Sequence, residues 1–182
     1  MTQHCVVIQN RVMAENIDSL NRSFYSGSDL DNGWIFSSAS QLSTQSGSSE
    51  LWYAVQPTTG SLNGLWMAST PEVPITYDGD YAYRGLNQDP RNFYNKAGKI
   101  IDAFKPQPGD IITASSGIFD NAIASNGYAN SLADNWRLHA GATPLGTSVM
   151  SWRVLATTYI SIGSGGIDNQ RVTAYKLECL YN

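Results

Sequence analysis

The chain reads as an all-β protein, a mainly antiparallel sandwich or barrel with long loops and at most one or two short helices. Short segments rich in β-branched and aromatic residues recur along its 182 residues. Clusters of Gly, Asn, Asp, Ser and Pro separate them, which is the spacing of strands and turns. In "FKPQPGDIITAS", Pro106 and Pro108 forbid a helix and the Pro-Gly-Asp turn delivers Ile111 and Ile112 into a strand. We take residues 1–182 as a single β-rich domain with an N-terminal arm over about 1–16 and an extended contact loop over about 77–95.

The arm, "MTQHCVVIQNRVMAEN", holds the first strand candidate, "CVVIQN". Next comes "GSDLDNGW", where Asp29, Asp31 and Gly33 match the opening of a calcium loop. The match stops there, because Trp34, Ile35 and Phe36 follow and the nearest glutamate, Glu50, lies too far on. Asn-Gly before an apolar run predicts a tight hairpin turn instead. "GWIFSS" and "SELWYAVQ" are strands, and the serine-rich run between them predicts a long hairpin rather than a linker. "GLWMAS", "GKIIDAF", "GDIITAS" and "NWRLHA" continue the series. "NFYNKAG" and "IFDNAIASNGYANSLADN" are the places for a helical turn, the second equally readable as a long exposed loop. The C-terminus predicts two long antiparallel strands, "SWRVLATTYIS" and "QRVTAYKLECLY", joined by a glycine-rich connection. In the last strand Thr173, Tyr175, Leu177, Cys179 and Tyr181 alternate onto one face. No internal repeat is visible.

Charged residues make up 14% of the chain and the net charge is -4, so no basic field exists to hold a nucleic acid backbone. No apolar run approaches the roughly 20 residues that cross a bilayer, and the first residues lack a secretory pattern. The expectation is a soluble protein made in a cytoplasm, without direct contact to nucleic acid or membrane. Cys5 and Cys179 are expected to be buried free thiols, although neighbouring strands could pair them. With His4 and His139 the only histidines, a structural zinc site is not expected.

Catalytic patterns are thin. His139 is the one plausible general base, since His4 lies beside the terminus, and an isolated histidine is more often a packing or surface residue. "GSGGIDNQ" lacks the lysine of a phosphate loop, and the acidic pairs Asp78 with Asp80 and Glu50 with Glu72 read as solvated turn acids. We expect no enzyme, no cofactor and no metal. The aromatic supply is larger: five Trp, ten Tyr and five Phe. These serve core packing first, and some could form a sugar-stacking platform or anchor a protein interface. "YDGDYAYRGLNQDPRNFYN" is dense in Tyr, Arg, Asp and Asn, and reads either as a contact arm or as a plain exposed loop. As a contact arm it offers Tyr81, Tyr83, Arg84, Arg91, Phe93 and Tyr94.

The order "DLDNGWIF", "SGSSELWYAVQP", "LWMASTPEVPITYD" and "RNFYNKAGKIIDAFKPQPGDIITAS", over roughly residues 29–115, resembles tailed-bacteriophage virion accessory proteins, the small β-rich decoration or cement proteins of the capsid. The resemblance rests on the Asp-Asn-Gly turn, the Trp strand leading to Pro-Glu-Val and the Gly-Asp turn before a strand. It implies a non-enzymatic structural role in a virion assembled in a bacterial cytoplasm, with the major capsid protein and copies of the chain itself as partners. It implies no catalytic residue, and a turn at Asp31, Asn32 and Gly33 with no metal. The alternative is a carbohydrate- or receptor-binding module of a head fibre or tail, with a glycan as partner.

Overall fold

The computed structural model describes residues 4–42, 50–72, 75–78, 81–84, 89–162 and 170–182, the backbone alone at 75–78 and 81–84. The strands in chain order are β1 Val7–Arg11, β2 Asn21–Ser26, β3 Ile35–Gln41, β4 Trp52–Val55, β5 Trp66–Ala68, β6 Ile75–Asp78 and β7 Tyr81–Arg84. They continue with β8 Ile100–Phe104, β9 Ile111–Ser115, β10 Tyr128–Asn130, β11 His139–Gly141, β12 Ser151–Ile162 and β13 Gln170–Tyr181. The helical content is four short 3-10 turns among the described residues, so the fold is all-β.

Two assemblies share the core. A closed barrel runs β2-β4-β3-β5-β8, and a six-stranded sheet runs β1-β9-β13-β12-β10-β11. Alternation along the barrel strands sorts their side chains: Phe24, Phe36, Trp66, Ile101 and Ala103 fill the interior. Phe24 meets Phe36 edge-on at 4.9 Å and Trp66 at 5.1 Å, which locks the strands across the lumen. The intervening residues Ile35, Met67 and Phe104 point outward and join Ile112, Ala114, Trp152, Leu177 and Cys179 of the sheet in the largest core cluster. The barrel and the sheet thus bury one face each against the other.

Several expectations meet particular outcomes. The serine-rich hairpin forms, since β3 and β4 pair antiparallel, although residues 43–49 at its turn lie outside the described residues. The two C-terminal strands pair from Ser151↔Tyr181 to Ile162↔Gln170, and their connection at 163–169 is likewise outside. Tyr175, Leu177 and Cys179 face the main core as alternation predicts, but Ala174 on the other face is also fully buried, covered by Val6, Ile160 and Ile162. The segment read as an N-terminal arm supplies edge strand β1, hydrogen-bonded to β9 through Val7↔Ala114 and Gln9↔Ile112. "NFYNKAG" holds no helix of its own; a 3-10 turn at Pro90–Asn92 ends at its first residue. The long "IFDNAIASNGYANSLADN" loop contributes β10.

Asn-Gly makes a turn, but not the hairpin turn expected. Trp34 N donates to Asp31 O at 3.2 Å and only Gly33 of the central pair has positive φ, at 84°, which is the signature of a type II turn. Strand β2 before it and β3 after it are not neighbours, because β4 lies between them in the barrel. The turn is a buried junction. Asn32 bridges Thr70 in both directions, donating to its carbonyl at 2.9 Å and accepting from its amide at 3.1 Å, and also accepts from Asn95 Nδ2 at 3.1 Å. Gly33 is required by space as well as by φ: a Cβ there would sit 2.7 Å from Val7 Cγ2 and 3.2 Å from Ile118 Cδ1.

Candidate functional site

The contact stretch divides into two structures. Its first part, with β6 just before it, forms a separate two-stranded antiparallel sheet, β6 with β7, from Ile75↔Arg84 to Asp78↔Tyr81. Tyr81 and Tyr83 occupy alternate positions on β7, with Arg84 at the next. The second part, 89–95, is anchored to the body. Asp89 caps the Pro90–Asn92 turn through Arg91 N at 2.9 Å, and its carboxylate also receives the Arg91 guanidinium. That guanidinium holds the Asp89 carboxyl below the usual carboxylate range.

Arg91 ties three segments together rather than facing outward. Its Nη1 donates to Gln170 Oε1 at 2.6 Å and its carbonyl accepts from His4 N at 2.9 Å. Phe93 is half-buried, Tyr94 is 36% exposed, and Asn95 is buried with its amide bonded to Leu30 O and Asn32. Tyr94 stacks on the His4 ring at 4.8 Å. The ring's Nδ1 is bonded to Asp31 Oδ1 at 2.7 Å, while Asp31 Oδ2 accepts from Cys5 N at 2.9 Å. The acidic turn residue is therefore the anchor of the N-terminal segment.

The residues singled out for chemistry are placed as follows. His139 Nδ1 lies 3.0 Å from both carboxylate oxygens of Asp120, which Asn135 Nδ2 also meets at 2.6 Å. Neither His4 nor His139 has a hydroxyl or thiol hydrogen-bonded to its ring among the described residues. Cys5 and Cys179 are free and buried, and burial pushes both thiols up to about 12, far from a nucleophilic thiolate. Burial likewise raises the Glu72 carboxyl above its ordinary range, against hydrogen bonds from Asn32 and the Val7 backbone.

No tryptophan is exposed. Trp66 and Trp152 are buried and Trp34, Trp52 and Trp136 half-buried. The Arg22 guanidinium lies over Trp52 at 4.1 Å and near Trp66 at 5.1 Å, so it occupies the ring face that a sugar would stack on. Arg22 and Trp52 border an open cleft of about 1060 Å³ whose rim also carries Asn21, Glu50 and Asp102.

A further surface escaped the sequence reading. β12 and β13 are each 12 residues long, yet β10 pairs only with Ser151–Arg153 of β12 and β9 only with Ala174–Glu178 of β13. The rest of the hairpin runs on as a two-stranded ribbon. One face of it is closed by Val6 against Ile160, Ile162 and Val172, and the other displays Tyr159, 60% exposed. Its legible signal was "LATTYISI", eight residues without a charge, a proline or a glycine. Comparison with family models, with curated proteins and with solved structures finds no match to this chain.

Proposed function

We propose that this chain is a non-enzymatic structural protein of a tailed-bacteriophage virion, decorating or cementing the capsid through contacts with the major capsid protein and with other copies of itself. The observation that carries the reading is the β6–β7 ribbon, which pairs with no other described strand and bears Tyr81, Tyr83 and Arg84. A two-stranded ribbon outside the core is marginal by itself and gains stability by lying on a partner. Tyr and Arg are the side chains enriched where proteins meet. The sequence resemblance over roughly residues 29–115 supports the same assignment.

The test is quantitative mass spectrometry of purified particles from the source of this gene. A copy number comparable to the shell protein is the expected result, and absence from particles overturns the reading. The companion variant replaces residues 75–84 with a short Gly-Ser linker and leaves 89–95 intact, because Arg91 and Asn95 hold the body together. It should remain folded and lose attachment. Full decoration by that variant would remove the ribbon from the interface.

A further inference from the structure

Beyond its contact with β13, β12 has an edge. From Leu155 to Ile162 no described strand pairs with that edge: β10 ends its ladder at Arg153, the last main-chain bond on that side runs from Val154 N to Gly127 O at 3.0 Å, and beyond it only the Thr157 side chain is met, its Oγ1 donating to Ser125 Oγ at 3.3 Å. Unpaired strand edges are templates for another strand, and proteins that keep them free guard them with Lys, Pro or inward charges. This edge reads Leu-Ala-Thr-Thr-Tyr-Ile-Ser-Ile and has none of these guards. Its one irregularity is a bulge between Val154 and Ala156, which marks where pairing to β10 stops.

We infer that the β12 edge pairs antiparallel with the β12 edge of a second copy of this chain, about a two-fold axis at Tyr159. The occupant follows from self-complementarity. An isologous contact sets each residue against its symmetry mate. A two-fold at Tyr159 places Thr158 opposite Ile160, Thr157 opposite Ser161 and Ala156 opposite Ile162, so no charge meets a like charge. The two faces also agree: Ile160 and Ile162, already covered by Val6 within one chain, continue onto the partner's Ala156 and Thr158. On the opposite face the two Tyr159 rings become direct neighbours, and Tyr159 is the most exposed large hydrophobic side chain among the described residues. Main-chain hydrogen bonds supply the rest of the attraction, as in other strand additions.

The inference deepens the self-association part of the proposal above and is tested in solution, independently of any particle. The full chain is measured by sedimentation over a concentration series. The weight-average mass should climb from 19.8 kDa toward twice that value. Tyr159→Lys sets two cations across the axis at a position exposed in the single chain, and should hold the mass at the single-chain value while far-UV circular dichroism is unchanged. Tyr159→Cys should give a covalent dimer on mild oxidation, whereas Met13→Cys, at an exposed site off this edge, should not; the native thiols are buried. A single-chain mass for the unmodified protein up to its solubility limit overturns the inference. So does undiminished dimerisation of Tyr159→Lys, or equal cross-linking at the two cysteine positions. Should Tyr159→Lys fail to fold, the cysteine pair decides. A dimer without attachment to particles would leave this edge standing and remove the virion reading; attachment by a single chain would do the reverse.

Discussion

Replacing Asp31 with alanine tests whether the acidic turn is a structural anchor. Asp31 is 8% exposed, and its carboxylate holds two donors, the Cys5 amide at 2.9 Å and the His4 ring at 2.7 Å. Cys5 is 1% exposed, so its amide would lose its acceptor in a place where water does not replace it. An orphaned buried donor costs about 1–3 kcal/mol, and the lost bond to the half-exposed His4 ring adds roughly 1 kcal/mol. For a chain of this size a total of about 2–4 kcal/mol lowers the melting midpoint by roughly 5–15 °C. Asp31→Asn keeps one oxygen for the Cys5 amide and should recover about half of that loss. In the Asp31→Ala background His4→Ala should cost less than it does alone, because the shared bond is already gone and only the stack on Tyr94 is left to lose. Chemical denaturation of the four proteins gives the cycle. An Asp31→Ala variant within about 0.5 kcal/mol of the parent, the range of ordinary surface changes, would refute the anchor.

Gly33→Ala should cost more than the usual glycine replacement, about 1–3 kcal/mol, because positive φ and the 2.7 Å approach to Val7 act together; a neutral effect in urea unfolding would contradict the described turn. Glu72 has a carboxyl raised by burial, so its contribution is present below the unfolded carboxylate range and is lost as pH rises through the higher folded value. Glu72→Gln should therefore gain stability relative to the parent at neutral pH and lose that advantage toward pH 4, read from melting curves across the range. Asp89 has the opposite sign: its lowered carboxyl helps above the unfolded range and the help is lost as pH falls through the folded value, an effect that Arg91→Gln should flatten. Cys5 and Cys179, with thiols near 12, should resist a thiol reagent at pH 8 in the native protein and react only with unfolding.

The strand inventory was legible where alternation and turn residues agree, as in "GWIFSS", whose Ile35 and Phe36 fill opposite sides of one barrel wall. Strand β2, "NRSFYS", was not, because only Phe24 and Ser26 of its six residues are buried and its place is set by two neighbours distant in sequence, β4 and β8. Local pattern carries no information about such pairing. The polar junction beside the contact stretch was hidden for the same reason. Asp31, Asn32, Asn95 and Arg91 have the composition of solvated turns and contact loops, yet they bond to segments 27, 63 and 79 residues away in the chain. Buried polar networks are invisible to composition, since what permits the burial is a partner elsewhere in the chain. The ribbon edge of β12 was missed because a strand's unpaired side shows only when its neighbours are known.

The order β1-β9-β13-β12-β10-β11 places the last strand in the middle of its sheet. A nascent chain that has not yet emitted residues 170–181 holds β9 on one side and β12 on the other with nothing to join them. The first strand waits as well, because its only described ladder is to β9, about a hundred residues later. The sheet side of the main core can therefore close only after this segment has been synthesised, and such long-range pairing slows folding. Until then the uncharged Leu155–Ile162 stretch of β12 lacks a strand on either edge, so the same segment that would join two finished copies is also the point at which unfinished ones would stick together.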